Sequence, residues 1–185
     1  MTAREVSSSV LQRVKQRYGA VGAAGYAFTL TAVVVAVCGC IGLAVHQPWL
    51  FPSLGPTVML FFESPGQPSA RPVNTLIGHV VGIAIGIGCL ALFGLIGQSS
   101  APVGGLTPGY VAAGALSVAG TTLILTLLHR PHPPAGASTL IVSLGILSSP
   151  SQIASMVGAV LLVTALGWGL NLLLGTRPAT GSGSD

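Results

Sequence analysis

Four runs of apolar residues, roughly 26–46, 75–97, 110–128 and 152–174, each meet the ~20-residue length that a helix needs to cross a bilayer core. Only 5% of the chain is Asp, Glu, Lys or Arg, where a soluble domain carries about 25%. So few charges cannot cover a water-facing surface, which excludes a soluble globular enzyme. An apolar content of 51% excludes disorder, and the 26 glycines follow no collagen period. The composition fits one compact integral membrane domain.

Two further apolar stretches, 53–62 and 135–148, are too short to cross as helices. At about 1.5 Å per residue they reach only ~15–21 Å. Each follows proline-rich sequence, His46-Gln47-Pro48-Trp49-Leu50-Phe51-Pro52 and His129-Arg130-Pro131-His132-Pro133-Pro134. Proline lacks an amide donor and restricts the residue before it, so both leaders are expected to be extended. Such backbone is tolerated at membrane depth only when buried in protein or lining a watery cavity. A shift of 81 positions lays Pro52-Ser53-Leu54-Gly55-Pro56-Thr57 on Pro133-Pro134-Ala135-Gly136-Ala137-Ser138. Each half reads long helix, leader, short helix, turn, long helix, and this is read as an internal repeat.

Four of the seven basic residues, Arg4, Arg13, Lys15 and Arg17, precede the first run, where an anionic membrane surface suits them better than nucleic acid. No cleavable signal pattern precedes the first run, so the N-terminal segment is expected to be retained as a short surface helix. If the short segments cross, the chain crosses six times and Arg71, Arg130 and Arg177 share the side of the N-terminal cluster. Re-entrant segments would instead leave Arg71 and Arg130 outside. The positive-inside rule favours six crossings with both termini cytoplasmic. The expected fold is all-α: four long transmembrane helices plus two short broken (half) helices in a 3+3 inverted repeat, an arrangement of many secondary transporters. The parts are a basic cytoplasmic segment 1–25, a first repeat 26–97, an extracytoplasmic loop 98–109, a second repeat 110–174 and a flexible cytoplasmic tail 175–185. The expected location is a bacterial cytoplasmic (inner) membrane.

In such a pair the two short helices start near the bilayer centre. Helix N-termini carry unsatisfied amides and about half a positive charge, so two facing one pocket make an anion site. The candidate binding residues are Ser53, Leu54, Gly55 and Thr57 at the first start, and Pro134, Ala135, Gly136, Ser138 and Thr139 at the second. No acidic residue lies in any span. Capping, back-bonding to carbonyls and close helix packing are competing structural roles for the Ser, Thr and Gly residues. His79 and His132 are candidates for tuning the pore or for proton coupling; a neutral His79 bonded to a carbonyl, and a His132 that merely shapes its leader, stand as equal alternatives. Arg71, Asn74, His129 and Arg130 are placed at the cytoplasmic mouth. Gly78, Gly82 and Gly86 form a close-packing stripe that serves either inside the protomer or between protomers. Cys38, Cys40 and Cys89 read as small core residues. The chain shows no nucleophile–base set, metal-ligand spacing, cofactor motif or nucleic-acid module.

His132-Pro133-Pro134-Ala135-Gly136-Ala137-Ser138 resembles the signature of the HPP family of integral membrane proteins. Ser53-Leu54-Gly55, Thr57, Ser64-Pro65, Pro68, Arg71-Pro72, Asn74 and Gly78-His79 resemble the family's usual run in the first half. The likeness covers about residues 45–175; Pro56 departs from a common Ala, though a first-turn proline still suits a helix start. The family is described with four transmembrane helices, plant and cyanobacterial members are implicated in nitrite transport, and some bacterial members carry appended CBS domains. The resemblance implies, and the facing helix starts permit, passage of a small monovalent anion; the expected substrate is nitrite first and nitrate second. A homo-oligomer (dimer or trimer) in membrane lipid is expected because it suits so small a bundle. The rival readings are a non-transporting scaffold or ligand sensor, a neutral-solute channel and, weakest, a membrane enzyme.

Overall fold

A computed structural model describes residues 9–177, and among them every regular element is helical. In chain order these are α1 (Val10–Ala44), α2 (Leu54–Glu63), α3 (Pro72–Leu92), α4 (Ala101–Gly104), α5 (Pro108–Leu127), α6 (Pro134–Ser143) and α7 (Pro150–Leu173), with a 3-10 turn at Pro68–Ala70. α1, α3, α5 and α7 are long and apolar enough to cross a membrane. α2 and α6 have 10 residues each. Phe28, Val80, Leu123 and Leu161 stand exposed on the long helices, a surface that suits lipid.

The segment expected to be separate from the first span is continuous with it. α1 opens on a capping box between Ser9 and Gln12 and breaks at Gly19, whose φ of 60° and ψ of −139° leave helical space. A basic helical arm bearing Arg13, Lys15 and Arg17 thus kinks off the membrane-length part, tied by the Val10 amide to the Leu174 carbonyl at 2.9 Å. Residues 1–8 and most of the expected tail, 178–185, lie outside the described residues. The loop expected at 98–109 contains the single turn α4, held by the Ala101 amide on the Leu144 carbonyl at 3.0 Å. Cys38 and Cys89 are buried as expected, but Cys40 is exposed.

The two proline-rich leaders begin alike. Both α1 and α5 end in a left-handed residue, His46 and His129, each with φ 53°. Gln47 N–H donates to Gly42 O and Arg130 N–H donates to Leu125 O, each at 2.9 Å, closing the same six-residue cap. The first leader is not fully extended, because Trp49 N–H turns back onto Gln47 O at 2.9 Å. Most of it is exposed, with Phe51 buried and Trp49 half-buried, and two bonds hold it to the bundle: Cys38 Sγ donates to Trp49 O at 3.2 Å, and Ser155 Oγ donates to Gln47 Oε1 at 3.1 Å.

The order long, short, long occurs twice, and the third helix of each half crosses over. α3 packs against α5 and α6, while α7 packs against α1 and α2. The glycine stripe makes the first exchange possible. A Cβ at Gly78 would meet His132 Cβ at 2.8 Å, one at Gly82 the Ala135 carbonyl oxygen at 2.7 Å, and one at Gly86 Val142 Cβ at 2.8 Å. The stripe therefore serves inside the protomer, against α6. Gly82→Ala is expected to destabilise the protein by about 1–3 kcal/mol, since rigid backbone blocks the methyl group. Gly88→Ala, with open space around its Cβ, is expected to be neutral or slightly stabilising. Thermal unfolding in detergent checks both.

Candidate functional site

The fold gathers the candidate residues around His79, which sits two turns into α3 and is 1% exposed. Its Nε2 lies 3.1 Å from Thr57 Oγ1, in the first turn of α2, and its Nδ1 lies 2.6 Å from Ser138 Oγ, in the first turn of α6. One imidazole thus bridges the starts of both short helices. His132, from the second leader, places Nε2 3.3 Å from His79 Nε2, and its own Nδ1 lies 2.9 Å from Ser69 O. The rings meet edge to face, with centroids 5.0 Å apart. His79 is therefore bonded to side chains rather than to a carbonyl; His132 carries the carbonyl bond.

For two neutral rings, only one arrangement of protons satisfies every contact. Ser69 O can only accept, so His132 Nδ1 carries a proton and His132 Nε2 offers a lone pair. His79 Nε2–H then donates toward His132, shared with Thr57 Oγ1. Thr57 Oγ1 can accept because its own proton goes to Ser53 O at 2.9 Å. His79 Nδ1 is left to accept from Ser138 Oγ–H. Of the four hydroxyls singled out in the sequence, those of Thr57 and Ser138 are thus committed. Ser53 Oγ and Thr139 Oγ1 have no hydrogen-bond partner, although both residues are fully buried. An orphaned buried hydroxyl costs about 1–3 kcal/mol, so one at the start of α2 and one within α6 are each a reason to look for a ligand or water nearby.

Backbone amides contribute less than expected at α6. Ala135 N–H and Gly136 N–H bond to His132 O and Pro133 O at 3.0 Å each, and Pro134 has no amide proton. The positive end of the helix dipole remains. Leu54, Pro134 and Ala135 are buried and shape the helix starts. A Cβ at Gly55 or at Gly136 would meet nothing within 4 Å. Each borders a cavity: Gly55 one of about 200 Å³ with Pro52, Phe51 and Val163, and Gly136 one of about 530 Å³ with His132, His129 and Thr121. Thr121 Oγ1, also buried and without a partner, was missed in the sequence because it lies mid-helix in α5 with no motif around it. A further cavity, about 810 Å³ between α1 and α2, is mostly apolar and lined by none of the residues of this junction.

The expected mouth residues form a second layer. Arg130 Nη1 donates to Asn74 Oδ1 at 3.3 Å, and Asn74 Nδ2 donates to Pro68 O at 2.9 Å. Arg71 caps the start of α3, while His129 is exposed at the cavity rim. The carbonyls of Pro68, Ser69 and Ala70 are each taken by a side chain from a different element: Asn74 on α3, His132 in the leader, and Trp168 on α7, whose Nε1 donates at 2.7 Å. Glu63, the one acidic residue among those described, is exposed at the far end of α2.

His132→Asn keeps an N–H for Ser69 O, whereas His132→Leu leaves that carbonyl unpaired. The leucine variant is expected to lose about 1–3 kcal/mol relative to the asparagine variant. Comparative unfolding in detergent measures the difference.

No curated protein and no solved structure matches the chain. The family model described as "HPP, transmembrane region" matches residues 13–178. With four helices of membrane-crossing length and a match over most of its residues, the chain is an integral membrane protein and belongs to the HPP transmembrane family.

Proposed function

We propose that this protein passes small monovalent anions across the membrane, nitrite first and nitrate second. The observation that carries the reading is the meeting of two helix starts at His79, where α2, behind Ser53, and α6, with Thr139, also bring two buried hydroxyls without partners. Both helix starts add positive potential, and no carboxylate among the described residues stands near them. A single negative charge fits that field; a cation would find no ligand of opposite sign. Nitrite as the preferred anion rests on the family resemblance.

In this reading the halves are inverted repeats, and α2 and α6 with their leaders each complete one crossing. The chain then crosses six times, with both termini in the cytoplasm and the protein in a bacterial cytoplasmic membrane. The matched left-handed caps and the reciprocal exchange of α3 and α7 support the repeat. The cavities at Gly55 and Gly136 serve as vestibules on the two faces, with the His79 junction between them. The homo-oligomer, a dimer or trimer, packs through faces other than the α3 glycine stripe, which α6 already occupies.

Purified protein in proteoliposomes is expected to take up nitrite above the protein-free rate. Ser53→Ala and Thr139→Ala each remove a free donor; a hydrogen bond to a charged group is worth about 1.5–3 kcal/mol. Each variant is therefore expected to raise the half-saturating nitrite concentration roughly tenfold or more, at 1.4 kcal/mol per decade. Binding without flux would instead indicate a sensor or scaffold, and unchanged half-saturation in the double variant would remove these hydroxyls from the site.

A further inference from the structure

We propose that the His79–His132 pair takes up one proton with each anion, so that the site binds the anion and a proton together as an electroneutral unit. This rests on the anion-site reading above and adds its coupling. The proton arrangement leaves a single place for the extra proton. Between the two Nε2 atoms, 3.3 Å apart, one proton already sits, and a second would set two N–H groups against each other. His132 Nδ1–H is fixed on Ser69 O. The one ring lone pair not serving that chain is at His79 Nδ1, which accepts from Ser138 Oγ–H at 2.6 Å.

Adding a proton at His79 Nδ1 reverses that bond. Nδ1–H now donates, Ser138 Oγ accepts, and the Ser138 hydroxyl proton turns free to donate elsewhere. Protonation thus supplies a positive charge and a new hydrogen-bond donor near the start of α6, the helix that also carries the unpartnered Thr139 hydroxyl. When the anion leaves, the proton leaves with it and Ser138 Oγ–H returns to Nδ1. No bond other than N–H and O–H changes.

The surroundings make each partner depend on the other. The groups facing His79 are Thr57 from α2, Ser138 from α6 and His132 from the second leader. The nearby charges are both cationic: Arg130, held on Asn74, and Arg71 at the start of α3. α5, α6 and α7 bring no acidic or basic side chain to it, and the carboxylate of α2, Glu63, is at the opposite end of that helix. A protonated pair between two positive helix ends therefore has no counter-charge among the described residues. An arriving anion supplies it, and by linkage each ligand raises the affinity for the other by the same factor.

The test uses proteoliposomes with a pH dye inside and a potassium gradient plus valinomycin to set the membrane potential; protein-free vesicles correct for leakage of free nitrous acid. One proton is expected to enter with each nitrite. The rate should be indifferent to the sign of the potential and rise about tenfold per unit fall in pH until the pair is saturated. His79→Gln, which cannot titrate, should leave a residual flux that is driven by potential and flat with pH. Ser138→Ala should weaken nitrite roughly tenfold at acid pH and little at alkaline pH, where wild-type Ser138 is committed to His79; this variant also serves if His79→Gln does not fold. A wild-type flux driven by potential, with no proton entry, overturns the coupling and leaves anion transport standing. Absence of nitrite flux at every pH and potential overturns the transport reading itself.

Discussion

The site depends on how closely α3 lies against α6. With Gly78, Gly82 and Gly86 facing His132, the Ala135 carbonyl and Val142, the two backbones approach to distances that any side chain would forbid. That approach carries a buried imidazole within bonding reach of the first turns of both α2 and α6. Glycine costs helix stability, and three on one face are justified only by what the contact positions.

Irregular backbone inside a membrane protein must find partners within the protein, and here the partners are specific. The carbonyls of the Pro68–Ala70 turn are taken by Asn74, His132 and Trp168, and the end of α2 is met by Asn171 Nδ2 on Phe61 O at 2.8 Å. The same bonds that satisfy this backbone orient the candidate side chains. Fixing His132 Nδ1 on Ser69 O decides which nitrogen faces His79, and so decides where protons sit in the whole chain of contacts.

Much of this was legible in the sequence, for reasons that differ by element. The long helices follow from sustained apolar runs without charge, and α2 and α6 from short runs behind prolines. Ser53, Thr57, Ser138 and Thr139 were found because helix starts have a chemistry of their own. What could not be read was the pairing of donors. Sequence assigns a hydroxyl to a turn, but only geometry shows that Thr57 and Ser138 are engaged while Ser53 and Thr139 are not. The capping turns at His46 and His129 escaped because a left-handed conformation at a residue other than glycine has no local signal. Gly19 likewise hid a kink inside what reads as unbroken helix. The exchange of α3 and α7 is a property of three-dimensional packing that neither half encodes alone.

The two halves share scaffolding but not chemistry. In the second leader His132 packs on Gly78 of the exchanged helix α3; in the first, Trp49 packs on Gly158 of the exchanged helix α7, at 3.3 Å from its Cβ position. The same glycine-and-ring contact thus occurs twice, with a titratable ring in one place and an indole in the other. The cavities differ in the same sense: the one at Gly136 has Thr121, His129 and His132 on its wall, whereas the one at Gly55 is lined by Val35, Leu50, Phe51 and Val163. Two helix starts meet at one imidazole, and a titratable ring stands in one leader where an indole stands in the other. The similar packing of α3 and α7 thus goes with unlike chemistry, and the polar groups lie on the side of His132.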